Sequence, residues 1–150
     1  MGWVDDLPGP LFGLDTAPLI FYIEEHPVYL PIVDPLFRAA ADGRLMLVTS
    51  MITLIEVLTH PMRHGHDALA EQYRNILLAA RGLRIEPVSA VVAEQAASLR
   101  ATHGLRTPDA VQVATALCAG AGVFVTNDAR LSELPELQVI VLDRLRSPQP

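Results

Sequence analysis

Residues 107–128 read TPDAVQVATALCAGAGVFVTND. Thr107-Pro108-Asp109 predicts a helix start: a cap hydroxyl, proline at the first helical position and an acid in the first turn. The helix is expected to run to about Cys118 and to end at Gly120 and Gly122. Val123-Phe124-Val125-Thr126 then reads as a short buried strand, closed by the turn-forming pair Asn127-Asp128.

The same unit recurs outward along the chain. Toward the C-terminus, Val139-Ile140-Val141-Leu142 is a last strand, separated from Thr126 by a short segment holding Leu131 and Leu134, and residues 146–150 form a tail. Toward the N-terminus, Ser89 reads as the cap of a helix over residues 90–102, with Val91, Val92, Ala96 and Leu99 on one face and Gly104 as its stop. A strand at residues 84–88 precedes it. Earlier still, His66 to Ala80 has helical spacing, Ser50 caps a helix from Met51 to Thr59, and Leu45-Met46-Leu47-Val48 is a strand. Residues 29–42 have helix-like spacing broken by Pro31 and Pro35. Pro10-Leu11-Phe12-Gly13-Leu14 is the first strand, with Asp15 at its end and Pro18 in the first turn of the helix that follows.

Strands alternating with helices predict a three-layer α/β/α sandwich on a parallel sheet, a single domain over residues 1–150. Ligands of such sheets bind outside the carboxyl ends of the strands. Asp15, Thr126, Asn127 and Asp128 are all expected at that edge.

Composition narrows the functions. A formal net charge of −6 argues against a broad basic surface for nucleic acid and leaves room only for a local site. All eleven basic residues are arginine. The mean hydropathy of +0.31 excludes disorder, yet every apolar run is interrupted before about 18 residues, too short to span a membrane. The acidic opening MGWVDDLPGP lacks the basic start of a secretory leader, so a cytoplasmic location is expected. The one cysteine, Cys118, reads as a small buried thiol.

Four acids need explaining. Glu56 lies in Met51–Leu58, apolar almost all round, so its carboxylate is expected to be buried and to require an arginine, a hydrogen-bond network, a raised pKa or a metal. Asp109 and Asp128 have ordinary local explanations in a helix's first turn and in a turn. Asp15 follows a buried strand. His60 and His64 have the spacing of a helical metal pair, but Pro61 between them predicts a polar loop, shared with His66, in place of a zinc site. His103 beside Gly104 reads as a helix C-terminal charge.

In order, residues 14–20 (LDTAPLI), 50–58 (SMITLIEVL), 107–117 (TPDAVQVATAL) and 124–131 (FVTNDARL) resemble the PIN-domain family, especially the VapC-type toxins of toxin–antitoxin pairs. The resemblance covers most of the chain. It implies a five-stranded parallel sheet and an acidic pocket for one or two divalent cations, with Asp15, Glu56, Asp109 and Asp128 as metal-binding and catalytic acids and Thr126 and Asn127 in support. It implies hydrolysis of single-stranded RNA, a homodimer, and an antitoxin partner near Phe21, Tyr22 and Leu36. The chain departs from the family at Ala17, where a small polar residue is common, and in a longer stretch before the first strand. A catalytically inactive PIN-like module that binds RNA or protein is the alternative.

The chemistry is consistent with that resemblance. Two carboxylates about 4 Å apart repel by roughly 4 kcal/mol at an effective dielectric of about 20, and a divalent cation reverses the sign. All-oxygen donors suit Mg2+ or Mn2+, whereas zinc would recruit His or Cys. Water activated by the metal would attack in line and leave 5′-phosphate and 3′-hydroxyl ends, with Asp15 as a direct ligand, Asp109 and Asp128 sharing ligation, and Glu56 positioning or deprotonating the water. Arg106 and Arg130, beside the acidic motifs, are the expected local cations for RNA.

Overall fold

The computed structural model describes residues 2–146, so of the expected tail only Arg146 is seen and residues 147–150 lie outside the described part. Five strands form one sheet: β1 (Leu11–Leu14), β2 (Met46–Ser50), β3 (Leu83–Glu86), β4 (Val123–Thr126) and β5 (Gln138–Val141). All four pairings are parallel, and the order is β3-β2-β1-β4-β5. The chain builds outward from β1 in one direction, then returns to build in the other. The switch point therefore lies between β1 and β4, where Leu14 pairs with Val125 and the amide of Asp15 donates to the Val125 carbonyl at 2.9 Å.

Among the described residues six α-helices cover both faces: α1 (Thr16–Ile23), α2 (Leu30–Ala41), α3 (Met51–Arg63) and α4 (Asp67–Ala79) on one, α5 (Ala90–His103) and α6 (Thr107–Ala119) on the other. Strand alternation sorts the core into two layers. Phe12, Leu14, Leu47, Val123 and Val125 pack under α1–α4, whereas Val48 and Phe124 pack under α5 and α6. The α/β/α sandwich with a five-stranded parallel sheet is thus the observed architecture.

Capping follows the sequence at Ser50 and Ser89, whose hydroxyls accept from the amides of Ile52 and Val92. It fails at Thr107. Arg106 is the N-cap of α6 and makes no side-chain cap bond, while Thr107 and Pro108 are already helical. Asp15 caps α1, one turn ahead of Pro18. Gly120 ends α6 with φ of 84°, a left-handed conformation that only glycine adopts cheaply.

The prolines interrupt less than expected. Pro31 sits in the first turn of α2, where no amide is needed, and Pro35 lies within the helix. Pro61 lies inside α3, which runs on to Arg63 in place of the expected loop. It is in the last turn, so its missing amide costs one bond, and its ring continues the buried stripe of Thr53 and Val57. The His60 and His64 rings consequently stay 4.4 Å apart on one face, with His66 6.0 Å beyond.

Other expectations of burial are reversed. Cys118 is exposed, as is Val91, which lies off the α5 face formed by Val92, Ala96 and Leu99. Leu36, expected at a partner surface, is wholly buried, whereas Phe21 and Tyr22 are half-buried and stack on Tyr29 and Phe37. The long stretch before β1 packs onto α2: Val4 joins the core and the Trp3 indole donates to the Ile32 carbonyl at 2.9 Å.

One contact sets the spacing of the layer that carries α6. A Cβ on Gly13 would stand 2.4 Å from the Ala116 Cβ and 3.0 Å from Phe124 Cδ1. Only glycine lets α6 lie this close over β1.

On the opposite layer the buried Tyr73 of α4 donates its hydroxyl to Glu24, at the C-cap of α1. Burial first, then the bond to Glu24 and its charge, push the phenol far above its ordinary value. A raised folded pKa means the stability it contributes is complete below the unfolded value, about 10, and is lost as pH rises beyond it, by up to about 1.4 kcal/mol per unit. With no lysine in the chain to titrate alongside, chemical denaturation of wild type and Tyr73→Phe between pH 8 and 11.5 should show a falling alkaline limb that the substitution flattens. At neutral pH the same substitution should cost about 1 kcal/mol.

Candidate functional site

Asp15 stands where β1 becomes α1, and both its oxygens are held. Oδ1 accepts from the Thr16 amide at 2.9 Å and Oδ2 from the hydroxyl of the fully buried Thr126, at the end of β4, at 2.7 Å. Burial raises its carboxyl above the ordinary range; those two bonds pull it down, and the charges of Asp109 and Glu56 push it up further. Among the described residues no cationic side chain is paired with it.

Glu56 reaches the same edge from α3, and its Oε1 accepts from the Thr16 hydroxyl at 2.9 Å. It is exposed, against the expectation of burial. The helix buries only the narrow stripe of Thr53, Val57 and Pro61, and Glu56 lies beside that stripe with its carboxylate reaching water. No costly burial needs offsetting.

Asp109 and Asp128 are neutralised differently. Asp109, in the first turn of α6, pairs with Arg106 at 3.0 Å. Asp128 caps the short turn after β4 and takes Arg130 in a two-pronged pair, with the shorter contact 2.6 Å. The Arg130 bond is the main reason its carboxyl lies below the ordinary range. Both guanidinium groups are largely in solvent, at 65% and 68% exposure, so each pair contributes little to stability, on the order of 0–1 kcal/mol. A cavity of about 220 Å3 has both acids and both arginines in its wall, together with His103 and Leu131.

All four acids therefore stand at the carboxyl edge of the sheet, three of them joined through threonines and Asp109 sharing only the cavity wall with Asp128. Thr16 links Asp15 to Glu56, and Thr126 links Asp15 to Asp128, since its oxygen also accepts the Asp128 amide at 3.0 Å. As they stand, no three His, Cys, Asp or Glu side chains among the described residues are gathered closely enough to hold a metal, the His60–His66 group included. Asn127 faces away from the acids. Its Oδ1 accepts from the Asp143 amide at 2.8 Å and ties the loop after β4 to the turn after β5. His103 pairs with Glu136 at 2.7 Å.

The sequence reading missed the layer beneath. Ser50, Thr49, Thr53, Thr16 and Gln112 are buried polar residues gathered under Asp15 and Glu56. The available signal was a glutamine within the apolar run AVQVATAL, where a buried amide has to find partners.

The comparisons agree with this architecture. Residues 14–137 match the family profile described as PIN domain. No curated protein sequence matches the chain significantly. Among solved structures, the fold is similar to VapBC2 of Rickettsia felis bound to a DNA fragment from its promoter, with TM-score 0.68 and 20% identity over 87% of this chain and 97% of that one. It is similar to a toxin–antitoxin complex of Klebsiella pneumoniae, with TM-score 0.63 and 22% identity over 89% and 98%. A third is VapC20 of Mycobacterium tuberculosis, described as a sarcin-ricin loop cleaving toxin, with TM-score 0.60 and 22% identity over 76% and 86%.

The Thr126 hydroxyl joins Asp15 to Asp128. Thr126→Val keeps the shape but leaves Asp15 Oδ2 without its donor and the Asp128 amide without its acceptor. Urea denaturation should show a loss of about 1–3 kcal/mol, against less than about 0.5 kcal/mol for the exposed Thr102→Val.

Proposed function

The chain belongs to the PIN-domain family, and from that premise we propose that it is a metal-dependent endoribonuclease acting on single-stranded RNA and the toxin of a toxin–antitoxin pair. The observation that carries this reading is Asp15: a partly buried carboxylate at the switch point of a parallel sheet, raised by burial and by two neighbouring acids, with no cation of its own among the described residues. Ligands of parallel sheets commonly bind at such a switch point, which supports the reading.

The donor set fits a hard divalent cation. Asp15, Glu56, Asp109 and Asp128 offer only oxygen, which favours Mg2+ or Mn2+. The surface arginine pairs of Asp109 and Asp128 exchange at small cost. When bound, such a cation supplies positive charge against the phosphate and acidifies water. The rest falls to the protein. Thr16 and Thr126 fix both oxygens of Asp15, and Thr16 fixes one oxygen of Glu56, leaving the other to orient the attacking water and take its proton. Arg106 and Arg130, released from their acids, hold RNA phosphates at the edge of the cavity.

Solved structures of similar fold include a toxin–antitoxin complex and VapBC2 bound to promoter DNA, which supports an antitoxin partner, and a toxin described as sarcin-ricin loop cleaving, which supports the nuclease reading. The half-buried Phe21 and Tyr22 are where we place its contact; a homodimer and a cytoplasmic location complete the proposal. A second reading, an inactive module that binds RNA or protein, draws on the arginine pairs that already satisfy Asp109 and Asp128.

Purified protein should cleave single-stranded RNA with Mn2+ or Mg2+, lose activity in EDTA, and fall at least about 100-fold on Asp15→Asn. The ends should be 5′-phosphate and 3′-hydroxyl; a 2′,3′-cyclic phosphate would rule out attack by water. Arg106→Ala and Arg130→Ala should each weaken binding of an uncleavable RNA by roughly tenfold, about 1.4 kcal/mol, with Mn2+ affinity no weaker. Metal-independent RNA binding without cleavage would favour the second reading.

A further inference from the structure

Under the acids the two helical layers meet around one amide. Gln112, in the second turn of α6, is 3% exposed. Its Nε2 donates to Thr16 Oγ1 at 3.1 Å and Thr53 Oγ1 at 2.6 Å, and its Oε1 accepts from Ser50 Oγ at 2.6 Å. Thr53 Oγ1 also stands 2.8 Å from Thr49 Oγ1 and 3.1 Å from Thr16 Oγ1, and Thr49 donates to the Leu14 carbonyl at 2.8 Å.

Counting protons orients the network if each hydroxyl donates once, with the 3.1 Å Thr16–Thr53 contact left carrying no proton. The Leu14 carbonyl can only accept, so the Thr49 proton is spent there, and the Thr53 proton goes to Thr49. The Glu56 carboxylate accepts, so the Thr16 proton points outward to it. Both threonine oxygens are then left as acceptors facing inward, and the amide nitrogen of Gln112 supplies their two donors. With the amide turned over, its carbonyl would face Thr16 and Thr53 and draw the Thr16 proton away from Glu56. Ser50 disfavours this, because its proton goes to Oε1 while its oxygen caps α3, and turning the amide would leave that proton without an acceptor.

Resting on the nuclease reading above, we infer that Gln112 is a positioning residue of that site: its amide directs the Thr16 hydroxyl to Glu56 and so presents the glutamate's second oxygen in one orientation. A core has no need of it. A buried amide without partners is costly, and an apolar side chain would fill the same space at less risk. Among the described residues Gln112 is the one side chain of α6 hydrogen-bonded to both α1 and α3, and its three partners, Thr16, Thr53 and Ser50, lie on or at the start of the elements carrying Asp15 and Glu56.

The test is a double-mutant cycle in the full chain, with single-stranded RNA cleavage, Mn2+ affinity by calorimetry and thermal melts as readouts. Gln112→Met keeps the volume and removes the amide; Thr16→Val removes the hydroxyl through which it acts. Each should remain folded and lower kcat about tenfold with KM within twofold, and the pair together should lose no more than either alone. Thr16→Ser, which keeps the hydroxyl, should stay within threefold of wild type. Thr115→Val, a buried hydroxyl on the same helix that bonds only to the Val111 carbonyl, should leave kcat unchanged. Unchanged kcat in Gln112→Met, additive losses in the pair, or an equal loss in Thr115→Val overturns the inference. Should Gln112→Met fail to fold, Ser50→Ala frees the amide to turn, and the same fall in kcat is expected; wild-type kcat there overturns it. If wild type cleaves no RNA, the nuclease reading falls while Mn2+ affinity still decides this inference: severalfold weaker binding by Gln112→Met sustains it, and equal or absent binding ends it.

Discussion

The close approach of α6 to β1 is the constraint from which the site follows. Gly13 offers no side chain where Ala116 comes down on it, so α6 lies over the middle of the sheet at a distance no larger pair would allow. Every functional position on that helix is then a matter of turns counted back from Ala116. One turn back is Gln112, close enough to cross into the opposite layer and reach Thr16 and Thr53. A further turn back is Asp109, at the rim beside Arg106. Were α6 lifted by the width of one methyl group, the amide would lose its hydroxyls before the core lost its packing, because hydrogen bonds weaken steeply beyond their narrow distance range.

The four acids divide by how their charge is met. Asp15 is partly buried, bonded at both oxygens and uncompensated by an arginine, so its carboxyl is raised. Asp128 is solvated and paired, so its carboxyl is lowered. Opposite shifts within one cluster arise because burial acts where the chain is covered and arginine acts where it is open. The inner carboxylate thus has no cationic partner among the described residues, while Asp109 and Asp128 have theirs at the surface.

Much of this was legible in the sequence. Strand–helix alternation gave the layers, Ser50 and Ser89 gave their caps, and the family motifs placed four acids at one sheet edge. What was not legible shares a cause: a helix that is apolar nearly all round does not declare which face is buried. Glu56 and Cys118 both sit in such runs, and both proved exposed. Pro61 was misread because the cost of a proline depends on how many turns remain after it, and here fewer than one does. Gln112 was passed over because a single polar residue on a core helix gains meaning only from partners brought by α1 and α3, about 100 and 60 residues away respectively.

The exposed thiol of Cys118 has a practical consequence. It is the only cysteine in the chain and stands near the end of α6 remote from Asp109, nine residues and about 14 Å along the axis at the usual helical rise. A fluorophore or spin label coupled there would attach once per molecule, without an added or removed cysteine. Because α6 is a rigid rod pressed onto β1, such a probe would report tilting of the helix that carries Asp109 and Gln112 while leaving every carboxylate untouched.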